Sequence, residues 1–226
     1  MAINLTKGQK IDLRKESGDK LTNFCVGVNW GAIETIKKGF FGGEKKVVED
    51  VDLDLSCVLT DDAGNMVDYI YSPDYNGFLS QNKLPLGKLR TADGALIHSG
   101  DDRKGDYGGD DGLDNEVISV DLSKVNPLIT KIFFFINIYL NKGQTHDFSK
   151  IPYAKIRMYE GTSTKVNKVH SSFDITTDSS YTNKRALIMG KLYKRNEEWK
   201  FDAIGDPTED NIFLQTLQNI LNSYAK

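Results

Sequence analysis

Apolar and polar residues alternate in short runs along most of the chain, and glycine, proline and Asn/Asp turns separate the runs. Residues 3–5 and 9–13 read as a short strand pair around Lys7-Gly8. Residues 24–30 (FCVGVNW) are rich in β-formers and predict a strand. The next stretch, 31–46, turns polar, holds Gly39, Gly42 and Gly43, and predicts a loop. Residues 47–59 predict one long strand with Val51, Leu53 and Leu55 on one face and Asp52, Asp54 and Ser56 on the other. A turn at 61–65 leads to a partner strand at 66–71. Residues 73–94 carry Pro73, Gly77, Pro85 and Gly87 and predict mostly irregular backbone.

The second half repeats the theme. Residues 116–122 (EVISVDL) alternate and predict a strand, and 123–126 fit one helical turn before Pro127. Residues 131–140 (KIFFFINIYL) are nearly all apolar and predict a central core strand, with Phe133, Phe134 and Phe135 buried between two layers. A polar loop at 141–147 precedes a short helix at 148–153. Hairpins follow at 154–160/165–173, around Gly161-Thr162-Ser163, and at 186–195/199–205, around Asn196-Glu197-Glu198. In residues 209–224, Ile212, Phe213, Leu217, Ile220, Leu221 and Tyr224 recur at helical spacing. Eight to ten strands and one solid helix predict an all-β-dominated fold. This is a two-sheet β-sandwich with short helices and a C-terminal amphipathic α-helix, one domain over residues 1–226.

Charge changes the picture at one place. Residues 98–116 (HSGDDRKGDYGGDDGLDNE) hold Asp101, Asp102, Asp106, Asp110, Asp111, Asp114 and Glu116 against only Arg103 and Lys104, together with five glycines. Such a segment repels itself and has too few apolar residues for an interior of its own. Calcium takes six to eight oxygen ligands in flexible geometry, and glycines let a backbone turn its oxygens inward. The stretch therefore reads as a calcium loop, with a plain solvated loop as the alternative. No register fits an EF-hand: counted from Asp106, position 3 is Gly108 and position 6 is Asp111 where glycine is required. Asp52 and Asp54 share one strand face and repel unless solvent or a cation offsets them.

Elsewhere composition mostly excludes. The net charge is −3, and no basic stripe with interleaved aromatics points to nucleic acid. The start of the chain has no apolar h-region, and the longest apolar run, 132–136, is too short to span a membrane, so no direct membrane insertion is expected. Cys25 and Cys57 sit in apolar runs and read as two buried thiols of a cytoplasmic protein. The histidines are His98, His146 and His170, and no Gly-x-Ser-x-Gly elbow, P-loop or His-rich metal motif is present.

Three stretches carry a resemblance. INLTKGQKIDL (3–13) followed by FCVGVNW has the form L-x-K-G-x-x-x-x-L and then a strand like V-G-L-G-W. DLDLS (52–56) matches D-L-D-x-S, and HSGDDRKG (98–105) and DNEVISVDL (114–122) echo G-D-N-x-x-G and D-D-E-x-I-x-V-x-L. ALIMGKLYKRNEEWKFDAIG (186–205) matches G-x-L-Y-R-x-x-x-x-W-K-F-x-A-x-G. In this order, over nearly the whole chain, they resemble the TerD family of tellurium-resistance and stress-response proteins. The resemblance implies a cytoplasmic bacterial β-sandwich that binds calcium, two ions, at the acidic loop, with no established enzymatic activity.

Carried across residue by residue, the resemblance implies Asp52, Asp54, Asp101, Asp102, Asp114 and Glu116 as ligands, with Gly105 and nearby carbonyls adding neutral oxygens. Asp106 lies in the same loop and joins the candidate set. Asp102 stands where the family usually has asparagine. Between Gly105 and Glu116 the chain reads DYGGDDGLDN, so either Asp110-Asp111 or Asp114-Asn115 takes the place of paired acids. Anchoring on Glu116 favours the latter, with Asn115 replacing an aspartate and Asp110 and Asp111 left as extra carboxylates. The stretches 31–46 and 76–89 differ from the simplest family members. The function expected is that of a calcium-binding module or scaffold that works with other stress-response proteins, not an enzyme. The alternatives are a metal-dependent hydrolase using the loop cation and the His146-Asp147 pair, and a metal-free domain binding a basic partner through the loop or through Tyr69, Tyr71, Tyr75, Tyr107 and Tyr153.

Overall fold

A computed structural model describes residues 2–38, 43–175 and 179–226. Its strands are β1 (Ile3–Asn4), β2 (Lys10–Asp12), β3 (Asn23–Trp30), β4 (Ile33–Lys38), β5 (Glu44–Glu49), β6 (Asp52–Thr60), β7 (Met66–Ile70), β8 (Leu96–His98), β9 (Glu116–Asp121), β10 (Lys131–Tyr139), β11 (Ala154–Thr162), β12 (Lys165–Ile175), β13 (Ala186–Arg195) and β14 (Glu198–Thr208). The helices are α1 (Asn76–Gln81) and α2 (Phe213–Asn219), the latter continued by a wider turn over Ile220–Tyr224. One sheet has the order β1-β12-β11-β3-β9-β8 and the other β2-β14-β13-β10-β6-β7. The β-sandwich expected from the sequence is therefore the fold observed.

Alternation explains the layers. Leu53, Leu55, Cys57 and Leu59 of β6 and Phe134 of β10 enter the core between the sheets. Val58, Phe133 and Phe135 point the other way, into a second core closed by α1, α2 and the C-terminal turn, with Leu79, Phe213, Leu217 and Ile220. The three consecutive phenylalanines are buried on both sides because β10 is covered on both faces.

Three local expectations are corrected. Strands β1 and β2 do not pair with each other: β1 lies parallel to β12 and β2 antiparallel to β14, so the opening of the chain is divided between the sheets. A pair that short buries little by itself, whereas the division seats Leu5 and Leu13 in the main core. The loop expected over 31–46 is a two-stranded ribbon, β4 with β5, and Gly39 and Gly42 of that expectation lie outside the described residues. The long strand expected over 47–59 breaks at Asp50-Val51, where β5 leaves the ribbon and β6 enters the second sheet; Val51 N–H donates to the Lys104 carbonyl at 3.2 Å. Residues 73–94 are mostly irregular as expected, apart from the 3₁₀ turn Pro73–Tyr75 that runs into α1.

The last helix starts at Phe213 because β14 runs on to Thr208, beyond Gly205. Pro207 is tolerated there because its outer neighbour β2 pairs only with Lys200–Asp202. The β13–β14 hairpin turns on Asn196 (φ 51°) and Glu197 (φ 60°), the two positive angles of a two-residue connection. Among the described residues, no helix is long and apolar enough to cross a membrane. Cys25 and Cys57 are both buried free thiols.

Candidate metal centre

The even-numbered face of β6 carries Asp52 and Asp54 away from the main core, opposite Tyr139 and Asn137 of β10. Both are buried, at 6% and 3% exposure. The loop after β8 brings Asp101 to them. Oxygens of these three carboxylates lie within 4.8 Å of one another. Tyr75, at the end of the 3₁₀ turn, donates its hydroxyl to Asp54 Oδ2. Its ring stacks on Phe213 of α2, with centroids 4.0 Å apart, and meets Tyr139 edge-on.

Glu116 holds the loop to the strand. Strand β7 covers β6 only from Cys57 to Thr60, so Leu55 N–H has no strand partner there. Glu116 Oε2 accepts it at 2.6 Å, and Oε1 accepts Asp102 N–H at 3.1 Å. His98 Nε2 lies 3.4 Å from the same carboxylate, while its Nδ1 accepts Gly100 N–H at 3.0 Å. Asp102 is turned into its own loop, accepting Lys104 N–H and Gly105 N–H. Gly105 has φ +72°, and a Cβ there would meet the Trp30 ring at 2.6 Å, so glycine is required by that close approach.

The electrostatics of this cluster are unbalanced. Burial, then the charges of Asp54, Asp101 and Glu116, push the Asp52 carboxyl up to about 9. Burial, then Glu116, raises Asp54 well above the carboxylate range, and burial raises Glu116 likewise. Burial holds the His98 imidazole down at about 4, so it is neutral at physiological pH. Arg103 contacts Asp101 and Asp74 from a mostly exposed position. Asp52 Oδ1 is buried and has no hydrogen-bond partner among the described residues. Hard oxygen donors, one of them orphaned, fit a hard cation such as calcium.

A second group lies further along the loop. Asp106, Asp110 and Asp111 also bring carboxylate oxygens within 4.8 Å of one another. Asp106 accepts Asn29 Nδ2 at 3.0 Å, Asn115 Nδ2 at 2.9 Å and the Tyr153 hydroxyl at 2.9 Å. Asp110 lies 3.7 Å from Lys155, and Asp111 accepts Leu113 N–H.

Of the acids in the sequence-derived set, the structure joins Asp52, Asp54 and Asp101 in one group and Asp106, Asp110 and Asp111 in another. Asp102, Asp114 and Glu116 fall in neither. Asp114 is turned inward to Arg157 Nε at 2.7 Å, over Gly27, where a Cβ would sit 2.1 Å from its Oδ2. Asn115 Oδ1 accepts Trp30 N–H at 2.8 Å. His146 Nε2 is buried with no hydrogen-bond partner among the described residues and stands 3.9 Å from Glu49, whereas Asp147 caps the 3₁₀ turn Phe148–Lys150 by accepting Ser149 N–H.

Sequence reasoning missed the contacts of Tyr75, Asn29 and Tyr153 with these carboxylates, because each comes from a segment distant in the chain, and it missed that of His98 because only the fold of the acidic stretch brings its two ends, His98 and Glu116, together. Tyr75 was visible only as one aromatic among five. Tyr75→Phe keeps the ring stack and removes the hydroxyl from Asp54. It should cost about 1–3 kcal/mol in urea unfolding of the metal-free protein at pH 7. An unchanged midpoint would mean that the hydroxyl does not hold the carboxyl.

The family model described as "TerD domain" matches residues 1–224. The chain belongs to the TerD family. It is 31% identical over 229 residues to stress response protein SCP2 of Bacillus subtilis (strain 168), covering 100% of both chains. With tellurium resistance protein TerX of Serratia marcescens it shares 30% over 225 residues, covering 98% of this chain and 100% of that one. General stress protein 16U of Bacillus subtilis (strain 168) is 36% identical over 205 residues, with 91% of this chain and 90% of that one covered. The crystal structure of a homologue of telluride resistance protein (TerD) from Streptomyces coelicolor A3(2) superposes with a TM-score of 0.58 at 13% identity. It covers 91% of this chain and 98% of that one, and so shares the fold. The protein is thus a member of a tellurium-resistance and general stress-response family.

Proposed function

We propose that the chain is a calcium-binding module of this stress response, acting in the cytoplasm by binding and holding partners rather than by catalysis. The observation that carries the reading is the orphaned Asp52 Oδ1, buried beside Asp54 and Asp101. Three buried or half-buried carboxylates with so little opposing charge are costly unless protonated or paired with a cation. Asp52, Asp54 and Asp101 would hold one ion, and Asp106, Asp110 and Asp111 would hold a second. The ion supplies positive charge and shared oxygen coordination. Glu116, His98 and Tyr75 orient the carboxylates, and Glu116 ties the loop to β6. Loading would then lock the loop, β6 and the 3₁₀ turn into one surface for a partner among other stress-response proteins.

Calorimetric titration of the purified chain with calcium and with magnesium tests this. Heat is expected with calcium, two sites are expected in the isotherm, and Asp52→Asn should remove one of them. The absence of heat with either cation would defeat the reading and leave the cluster as protonated carboxyls in a metal-free interaction domain.

A further inference from the structure

After β7 the chain leaves the second sheet at Ser72 and folds back to it at Lys88. Lys88 N–H donates to the Tyr71 carbonyl at 3.0 Å, and Gly87 N–H donates to Asn76 Oδ1 at 2.6 Å. The inner side of this excursion is anchored by the fully buried Leu79. The Tyr69 and Tyr71 hydroxyls hold it as well, donating to the Leu86 and Pro85 carbonyls. Its outer side is apolar and bare. Phe78 is 46% exposed, Leu84 36% and Leu86 51%, and Pro85 is exposed between the two leucines. Residues 75–92 hold Lys83, Lys88 and Arg90 and no acid, in a chain whose net charge is −3.

Three contacts hitch the excursion to the carboxylates of the metal centre. Ser72 Oγ donates to Asp101 Oδ1 at 3.4 Å, Tyr75 donates to Asp54 Oδ2, and Asp74 shares the Arg103 guanidinium with Asp101. Tyr75 packs on Phe213, Phe213 meets Tyr71 at 5.1 Å between centroids, and Tyr71 stacks on Tyr69 at 4.4 Å. One row of rings thus runs from Asp54 to the base of the apolar surface.

We propose that this surface, Phe78 with Leu84, Pro85 and Leu86 beside Lys83, docks an acidic amphipathic helix of another protein, and that calcium in the neighbouring site tightens the grip. The calcium coupling rests on the reading given under Proposed function. Hydrogen bonding decides for a helix over an added strand. The carbonyls of Phe78, Leu79, Ser80, Pro85 and Leu86 and the amides of Leu84 and Gly87 already have partners within the chain. The excursion therefore offers no ladder to a strand, whereas a helix satisfies its own backbone and needs only side-chain contact. Charge decides the rest. Acidic flanks answer Lys83 and Arg90, while a second copy of the same surface would set these cations against themselves. Lys88 is already paired with Asp68, so too few free cations remain for an anionic bilayer. Such a plane would also meet the acidic loop, which touches the excursion through Asp101 and Arg103; a helix about 10–12 Å across reaches the excursion alone. Calcium at Asp54 and Asp101 would fix Tyr75 and Ser72, and with them the excursion, and would weaken the negative field that an acidic helix meets there.

The experiment is a phage-display selection on the full chain from a library of amphipathic-helix peptides with randomised flanks, counter-selected on Phe78→Ser/Leu86→Ser. Calorimetric titration of one recovered peptide follows, in chelator and in calcium. Both replaced side chains face solvent, so the double variant should melt like the parent and keep its calcium isotherm. Recovered peptides are expected to carry large apolar residues at helical spacing with Asp and Glu beside them. The chosen peptide should bind the parent about tenfold more tightly in calcium than in chelator, and the double variant about tenfold more weakly than the parent. Lys83→Glu should weaken binding and Lys83→Arg should not. Recovered peptides without acids, or none that distinguishes parent from double variant, would overturn the docking proposal. Binding of anionic vesicles that the double substitution removes would overturn it in favour of a bilayer, and self-association removed in the same way would overturn it in favour of a second copy. Equal peptide affinity with and without calcium, in protein that takes up calcium without peptide, would overturn the coupling alone. A chain that takes up no calcium defeats the metal reading and the coupling with it, and the chelator titration then decides the docking by itself.

Discussion

Saturating calcium is expected to raise the melting temperature by about 5–10 °C, and Asp54→Asn is expected to move the metal-free and calcium-bound forms in opposite directions. A ligand at a hundredfold excess over its Kd stabilises the native state by about 2.7 kcal/mol, and a chain of this size shifts by roughly 2–4 °C per kcal/mol. In the metal-free form Asp54 is buried beside Asp52 and Glu116 and holds its proton far above the usual range. Asparagine needs no such proton, so this form should be stabilised. It should gain up to about 1.4 kcal/mol for each pH unit by which protonation had been displaced. With calcium the same change removes a ligand of one ion, and that ion's share of the rise should vanish. Equal destabilisation of both forms would show that Asp54 is a structural acid with no metal to hold.

The pH dependence of the metal-free protein follows with a definite sign. The folded-state values of Asp52, Asp54 and Glu116 are raised above their unfolded ones, so the folded chain binds more protons. Stability is then full below about pH 4 for these groups and is lost as the pH climbs toward 9, the Asp52 value. His98 opposes this below its ordinary value of 6.5, because the unfolded imidazole takes a proton that the folded one refuses down to about 4. Three carboxyls against one imidazole leave the net trend toward greater stability in mild acid. Calcium should reverse it, since protons then compete with the ion. Melts at pH 5.5 and 8.5, with and without calcium, read the crossing directly.

The second large effect is expected at Arg157. Its guanidinium donates to Asp114 Oδ1 at 2.7 Å and to the Gly112 carbonyl at 2.8 Å, and the Asp114 side chain is 0% exposed. Arg157→Ala leaves that carboxylate without a partner above Gly27, which should cost about 3–5 kcal/mol at pH 8 in urea unfolding. Burial already lifts Asp114 to about 6 against the lowering by Arg157, so without the arginine it should be neutral in mild acid and the loss at pH 5 should be smaller. Asp114→Ala in the same background should recover much of the loss. A small, pH-independent effect would place the pair among weak surface contacts.

The acidic loop and the strand face bearing Asp52 and Asp54 are local patterns of charge and alternation, and both are legible without coordinates. The hairpin around Asn196 and the core strand with three phenylalanines are legible for the same reason. The ribbon was hidden because its glycines and lysines carry the composition of a loop, and cross-strand pairing between β4 and β5 outweighed that composition. Asp114 reads as one more acid of a charged run, but its neighbours in space are Arg157 and Gly27, far away in the chain.

The sequence by itself determined the sandwich, the family and the stretch where acids gather, since periodicity, turn chemistry and motif order are properties of neighbours along the chain. Only the tertiary structure decided which acids meet. Asp101 reaches Asp52 and Asp54 because Glu116 ties its loop to β6, while Asp114 faces Arg157. Carboxylates sort into groups by which segments pack against them, and packing depends on contacts between residues tens of positions apart.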